Sequence, residues 1–200
     1  MKSITDISQL DLNKQYSYAD YLKWHFNERV ELIKGWVYKM SPAPRRIHQK
    51  VEGIIFNKLF NFLDASDCEV YQSPFDVRLI KNKVQKNQEI DTVVQPDICV
   101  ICDKEKLDDA GCLGAPDLIV EILSDSTAKK DYNEKFNLYE ENKVKEYWIV
   151  NPGTHNIEVF SLIDNRFNSI GLFNEREDAE TIQCNLFPEL KIELKTIFRT

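Results

Sequence analysis

Two short apolar segments each carry one carboxylate where a strand should have none. VVQPDICVI holds Asp97, and APDLIVEILS holds Glu121. A lysine, Lys135, then falls within the apolar stripe of the following segment. Burying two acids and an ammonium is expensive, because each charge gives up its water. Chemistry at a metal ion is the simplest reason to keep them. Two carboxylates about 4 Å apart repel by roughly 4 kcal/mol at an effective dielectric near 20. Either one stays protonated or a cation sits between them. An all-oxygen ligand set suits Mg2+ or Mn2+, with the backbone carbonyl of Ile122 as a further hard ligand.

The acids converge if their strands are antiparallel neighbours. Asp97 opens the first strand and Glu121 lies near the end of the second, and antiparallel pairing joins such ends. Asp117, roughly 13 Å from Glu121 along the strand, falls at the wrong end for the site. Tyr132, Lys135, Phe136 and Tyr139 stand at i, i+3, i+4 and i+7, one helical stripe that points Lys135 inward. Packed over the carboxylates, its ammonium orients an attacking water or stabilises charge building on a phosphate. In the plainer arrangement Lys135 caps an exposed edge and Glu121 is merely salt-bridged to it. If the two acids repel without metal, Asp97→Asn raises the melting temperature in chelator.

The elements that must hold these residues read as an α/β or α+β domain, with one central mixed sheet flanked by helices. Tyr18 to Trp24 reads as a short helix capped by Ser17, and ELIKGWVYKM as a hairpin turning at Lys34-Gly35. SPAP is a connector. From Ile47 to Leu63 the apolar residues recur at helical spacing. CEVYQ and FDVRLI are strand candidates broken by Ser73-Pro74, and KNKVQKNQ is a polar loop. VVQPDICVI and DLIVEIL are nearly continuous apolar runs, so both strands are covered on both faces. CDKEKLDDAGCLGAP connects them. A helix runs from Asp131 to about Asn142, opened by the D-x-x-E of Asp131 and Glu134. VKEYWIV is a strand stopped by Asn151-Pro152-Gly153. NIEVFSL and RFNSIGLF form an antiparallel pair, and the tail is a strand followed by a docking segment.

Two hundred residues suit one domain spanning 1–200. No apolar run reaches the length of a membrane span, and the first residues lack the features of a signal peptide, so a cytoplasmic location is expected. The five cysteines are odd in number and irregularly spaced, which favours reduced thiols. Cys99 and Cys102 form a C-x-x-C with Cys112 nearby, but residues three apart on a strand face opposite sides. Small apolar fillers are the favoured reading over zinc. The net charge of −7 argues against a nucleic-acid coat protein. Residues 1–100 carry 14 Lys+Arg against 13 Asp+Glu, and residues 101–200 carry 12 against 20, so the acid excess is in the second half. Lys34 to Lys50 holds five basic residues, Arg45 and Arg46 among them, and no acid. Arg78, Lys81, Lys83 and Lys86 form a second such stretch. Either could meet phosphates or be a solvated loop.

At these residues the chain resembles the PD-(D/E)xK nuclease superfamily, and within it the Uma-type restriction endonuclease family. The resemblance rests on ELIKGWVYKMSP, the histidine of RRIHQK, VVQPDICVI, APDLIVEILSDST, the D-x-x-x-K from Asp131 to Lys135, and VKEYWIVNP, over roughly residues 16–163. It implies a restriction-endonuclease-like core, with Asp97 as the motif aspartate and Glu121 as the motif glutamate. The lysine expected two residues after the glutamate is Leu123 here; in this branch it has moved to the next helix, which matches Lys135. Glu31 matches a further acidic position that supports the metal or its water. His48 matches a recurrent histidine near the start of the long helix, where a packing role competes with a catalytic one. The implied activity is Mg2+- or Mn2+-dependent hydrolysis of DNA phosphodiesters, with Arg45 and Arg46 guiding the backbone. A non-catalytic binding or assembly protein on the same fold is the alternative. Cutting both strands would suit a homodimer, for which Phe167, Phe173 and Phe187 offer apolar surface unless they are ordinary core.

Overall fold

The computed structural model describes residues 3–40, 45–82, 85–124, 131–175 and 181–198. The SPAP connector, Lys83 and the Asp131 side chain of the D-x-x-E reading lie outside the described residues. The strands in chain order are β1 (Val30–Ile33), β2 (Trp36–Lys39), β3 (Glu69–Gln72), β4 (Val77–Arg78), β5 (Val93–Val94), β6 (Ile98–Ile101), β7 (Leu107–Asp108), β8 (Gly111–Leu113), β9 (Leu118–Ile122), β10 (Glu146–Asn151), β11 (Asn156–Ile163), β12 (Arg166–Asn174), β13 (Thr181–Gln183) and β14 (Lys191–Glu193).

The α+β class holds, but the strands divide between two six-stranded sheets rather than one. The first has the order β2-β1-β5-β4-β8-β7 and the second β12-β11-β10-β9-β6-β3; β13 and β14 pair separately. The division arises inside VVQPDICVI. Pro96 has no N–H to give a ladder, and the chain passes through Gln95-Pro96-Asp97 from β5 in the first sheet to β6 in the second. The connector between β6 and β9 is also more ordered than expected. It contains β7 and β8, which complete the first sheet.

The expected hairpin forms, with Lys34 and Gly35 at φ 51° and 84°, the positive angles that a tight two-residue turn needs. In the short helix Tyr18–Tyr21 the Asp20 carboxylate accepts from the backbone N–H of Ser17 at 3.1 Å and from its hydroxyl at 2.9 Å. Arg46–Leu63 is a long helix whose buried residues are His48, Val51, Ile55, Leu59 and Leu63. It packs on one face of the second sheet with Ile98, Val120 and Trp148, together with the C-terminal segment. The opposite face of that sheet meets the first sheet through Ile33, Val94, Cys99, Ile119 and Ile149. Leu138 and Tyr139 of the helix Phe136–Glu141 close this layer. β9 is therefore covered on both sides, as its unbroken apolar run requires, and all five of its residues are buried.

Phe167, Phe173 and Phe187 are half-buried, and each packs against one of these cores. Cys99 faces one core and Cys102 the other, as the strand spacing demands. Cys102 joins Cys68 in a disulfide at the end of the β3–β6 ladder, which corrects the reading of five reduced thiols. Cys99, Cys112 and Cys184 are free and buried. Arg78 is buried and paired with Asp108, so it does not belong to a basic surface. No described helix is long and apolar enough to cross a membrane.

Candidate active site

β6 and β9 are antiparallel, with Ile98 opposite Val120 and Cys99 opposite Ile119. Continuing that register by one residue sets Asp97 against Glu121. Along β9 the side chains alternate between the two cores. Val120 and Ile122 face the long helix, and Ile119 faces the layer between the sheets. Glu121 shares the face of Ile119 and meets the helix that follows β9.

That helix begins with a π turn, Asp131–Lys135, and continues as Phe136–Glu141. A π turn carries an extra residue and rotates what precedes it. Tyr132, expected on the inward stripe, is accordingly exposed, and its hydroxyl reaches Glu158 at 3.3 Å. Lys135 and Tyr139 do point inward. Lys135 Nζ donates to Glu121 Oε1 at 2.7 Å and lies 3.0 Å from Glu31 Oε1. The hydroxyl of Tyr139 donates to the same Glu121 oxygen at 2.6 Å. Burial, then the charges of Glu121 and Glu31, push the Tyr139 phenol well above its usual range, so it keeps its proton and remains a donor. Glu31, Glu121 and Lys135 are respectively 1 %, 4 % and 4 % exposed. Water screens this cluster little.

Glu31 comes from β1 of the first sheet and Glu121 from β9 of the second. One ammonium thus joins two sheets. Glu31 Oε1 also accepts the backbone N–H of Gln95 at 3.1 Å. The Gln95 side chain donates to Asp76 at 2.8 Å and accepts from Arg29 Nε at 3.0 Å and Nη2 at 2.8 Å. Arg29 also donates to the Ser73 hydroxyl. Burial raises the Asp76 carboxyl above its ordinary range, against the opposing bonds from Gln95 and Tyr21. This network holds the strand crossover rigidly behind Glu31. Sequence reasoning did not single out Gln95, Asp76 or Arg29; the one signal was a glutamine, just before Pro96, inside an apolar run.

Asp97 stands on the other side of the Glu121–Ile122 peptide. Its Oδ2 accepts the Ile122 N–H at 2.7 Å and lies 3.3 Å from His48 Nε2. Among the described residues its Oδ1 takes no hydrogen bond. Lys135 lies between Glu121 and Glu31, so the cluster expected from the sequence divides into two groups linked by one peptide. Glu31 touches the lysine directly. His48 sits in the first turn of the long helix, with Glu52 one turn on and Nδ1 3.6 Å from Glu52 Oε2. Burial lowers the pKa of the imidazole, but the neighbouring Asp97 and Glu52 carboxylates outweigh it and carry the pKa up to about 10. Arg45 and Arg46 are exposed at the start of the same helix. Asp117, at the far end of β9, is a structural clasp: it accepts the Cys102 N–H at 2.8 Å and pairs with Lys145 at 2.6 Å.

The donor chemistry fits a hard divalent ion. The register sets Asp97 and Glu121 opposite each other, while their carboxylates meet different partners, Ile122 N–H and His48 for Asp97, Lys135 and Tyr139 for Glu121; Oδ1 of Asp97 has an open acceptor. The Ile122 N–H is held by Asp97, which fixes the Glu121–Ile122 peptide, one peptide before the Ile122 carbonyl expected as the third ligand.

Residues 18–195 match the family Uma2, described as "Putative restriction endonuclease". An "Uncharacterized protein slr1290" from Synechocystis sp. is 25% identical over 181 residues, covering 89% of this chain and 84% of its own. In fold, the chain is similar to a protein from Anabaena variabilis ATCC 29413 whose crystal structure is titled "a putative nuclease belonging to DUF820". The TM-score is 0.70 at 16% identity, over 91% of this chain and 97% of that one.

Proposed function

The chain belongs to the Uma2 restriction endonuclease family, and from that premise we propose that it is an endonuclease hydrolysing DNA phosphodiesters with Mg2+ or Mn2+. Asp97, Glu121 and the Ile122 carbonyl would hold the ion. When bound, such an ion polarises the phosphate and lowers the pKa of a coordinated water. Lys135 positions the attacking water and steadies charge on the phosphate oxygens. Tyr139 fixes the Glu121 carboxylate, and Glu31 holds the lysine from its other side. Arg45 and Arg46 guide the nucleic-acid backbone through contacts that carry no sequence information.

The observation that supports this reading best is the buried ammonium within hydrogen-bond reach of two buried carboxylates on separate sheets. Such an arrangement leaves a stability deficit, which chemistry explains better than packing does. A non-catalytic binding or assembly role on the same fold is the second reading, favoured by the net charge of −7. Plasmid nicking decides between them. Wild type should nick supercoiled DNA with Mg2+ or Mn2+, and Asp97→Ala and Lys135→Ala should each lose at least about a hundredfold in rate. Equal cleavage by both variants would remove the site, and no cleavage by wild type would favour the second reading.

A further inference from the structure

We propose that His48, Glu52 and Asp97 together form a mixed nitrogen–oxygen cation site that takes Mn2+ in preference to Mg2+. One ligand atom from each residue lies within 4.8 Å of the others. His48 and Glu52 are spaced i, i+4 on the long helix, so they rise from one face and reach the same point. Asp97 meets them from the sheet crossover.

A second observation points to a ligand. His48 is 8 % exposed, yet its Nδ1 has no hydrogen-bond partner among the described residues. Glu52 Oε2, the nearest carboxylate oxygen to that nitrogen, is 3.6 Å away, beyond hydrogen-bond range. A buried ring nitrogen without a partner is costly unless something else meets it. Imidazole is a softer ligand than carboxylate or water. A site with one nitrogen therefore favours a transition-metal ion, whereas Mg2+ prefers oxygen alone. Helical packing explains one carboxylate beside His48, but not two converging on it from different elements.

The inference shares Asp97 with the proposed nuclease centre and rests on that reading only there. Mn2+ binding, followed by electron paramagnetic resonance of the free ion, separates the two. The samples are the full chain and His48→Gln, Glu52→Gln, Asp97→Asn and Glu121→Gln, with circular dichroism melts in chelator as the folding control. His48→Gln and Glu52→Gln should each weaken Mn2+ binding by about tenfold or more, and a large excess of Mg2+ should be needed to displace the ion from wild type. Glu52→Gln, on the partly exposed flank, carries the test if His48→Gln does not fold. Wild-type affinity in both variants overturns the inference. If Asp97→Asn and Glu121→Gln then lose the ion, the Asp97–Glu121 centre stands without it. If the His48, Glu52 and Asp97 variants weaken binding and Glu121→Gln does not, the mixed site stands and the Asp97–Glu121 ligand set fails. Absence of Mn2+ binding by wild type, or displacement by equimolar Mg2+, also overturns it.

Discussion

Replacing Lys135 with Met isolates what the ammonium does for the fold. The methionine fills similar space and removes the charge. Lys135 contacts Glu121 at 2.7 Å and Glu31 at 3.0 Å, and both acids are buried. The two carboxylate oxygens are then no more than about 6 Å apart, a repulsion of about 3 kcal/mol at an effective dielectric near 20. Breaking a buried pair by removing one partner costs about 3–5 kcal/mol, which agrees. At roughly 2–4 °C per kcal/mol for a chain of this length, the melting temperature should fall by about 6–20 °C. Scanning calorimetry at pH 7 in chelator measures it. Adding Glu31→Gln removes one of the stranded charges, so the double variant should melt above Lys135→Met alone, although Glu31→Gln by itself destabilises. A fall of less than about 2 °C for Lys135→Met, or a double variant less stable than the single one, would refute the reasoning.

Asp97→Asn should lower the melting temperature in chelator, by about 1–3 kcal/mol of stability, because Asp97 Oδ2 already accepts from Ile122 and faces His48. This reverses the sign expected from mutual repulsion with Glu121, and a rise would restore it. His48 contributes a pH-dependent stability in chelator. Its folded pKa is raised from 6.5 to about 10, so the contribution is fully present below 6.5 and is lost as pH climbs through about 10. The stability gap between wild type and His48→Gln should therefore shrink from pH 6 to pH 10, and a constant gap in urea melts contradicts it. Tyr139→Phe removes a donor to a buried carboxylate and should lower the urea midpoint by about 1.5–3 kcal/mol of stability with an unchanged slope; an unmoved midpoint counts against that bond.

Asp97 and Glu121 were legible because a charge inside an apolar run has few structural excuses, and the antiparallel register then brings the two to one end. Lys135 was legible from helical spacing, although the π turn moved Tyr132 off the stripe that suggested it. The part played by Glu31 was not legible from its own neighbourhood. VELI reads as an ordinary edge of a hairpin, and only the packing of two sheets brings its acid to the lysine. Glu52 was hidden for a different reason: a charged residue one turn from a histidine on a long helix usually faces solvent. Gln95 was hidden because VVQPDICVI reads as one strand. Pro96 divides it between two sheets, and local periodicity does not report which sheet a strand joins.

Gln95-Pro96-Asp97 is a strap of three residues between two slabs of strands. At one end its peptide nitrogen grips Glu31, and at the other its carboxylate grips Ile122. The acids on either side of Lys135 therefore ride on separate slabs. Sliding one slab past the other by a fraction of a bond length would alter their gap before any strand came unzipped. Residues far from the lysine that set the alignment of the slabs, Arg29 and Asp76 foremost, act as callipers on that gap.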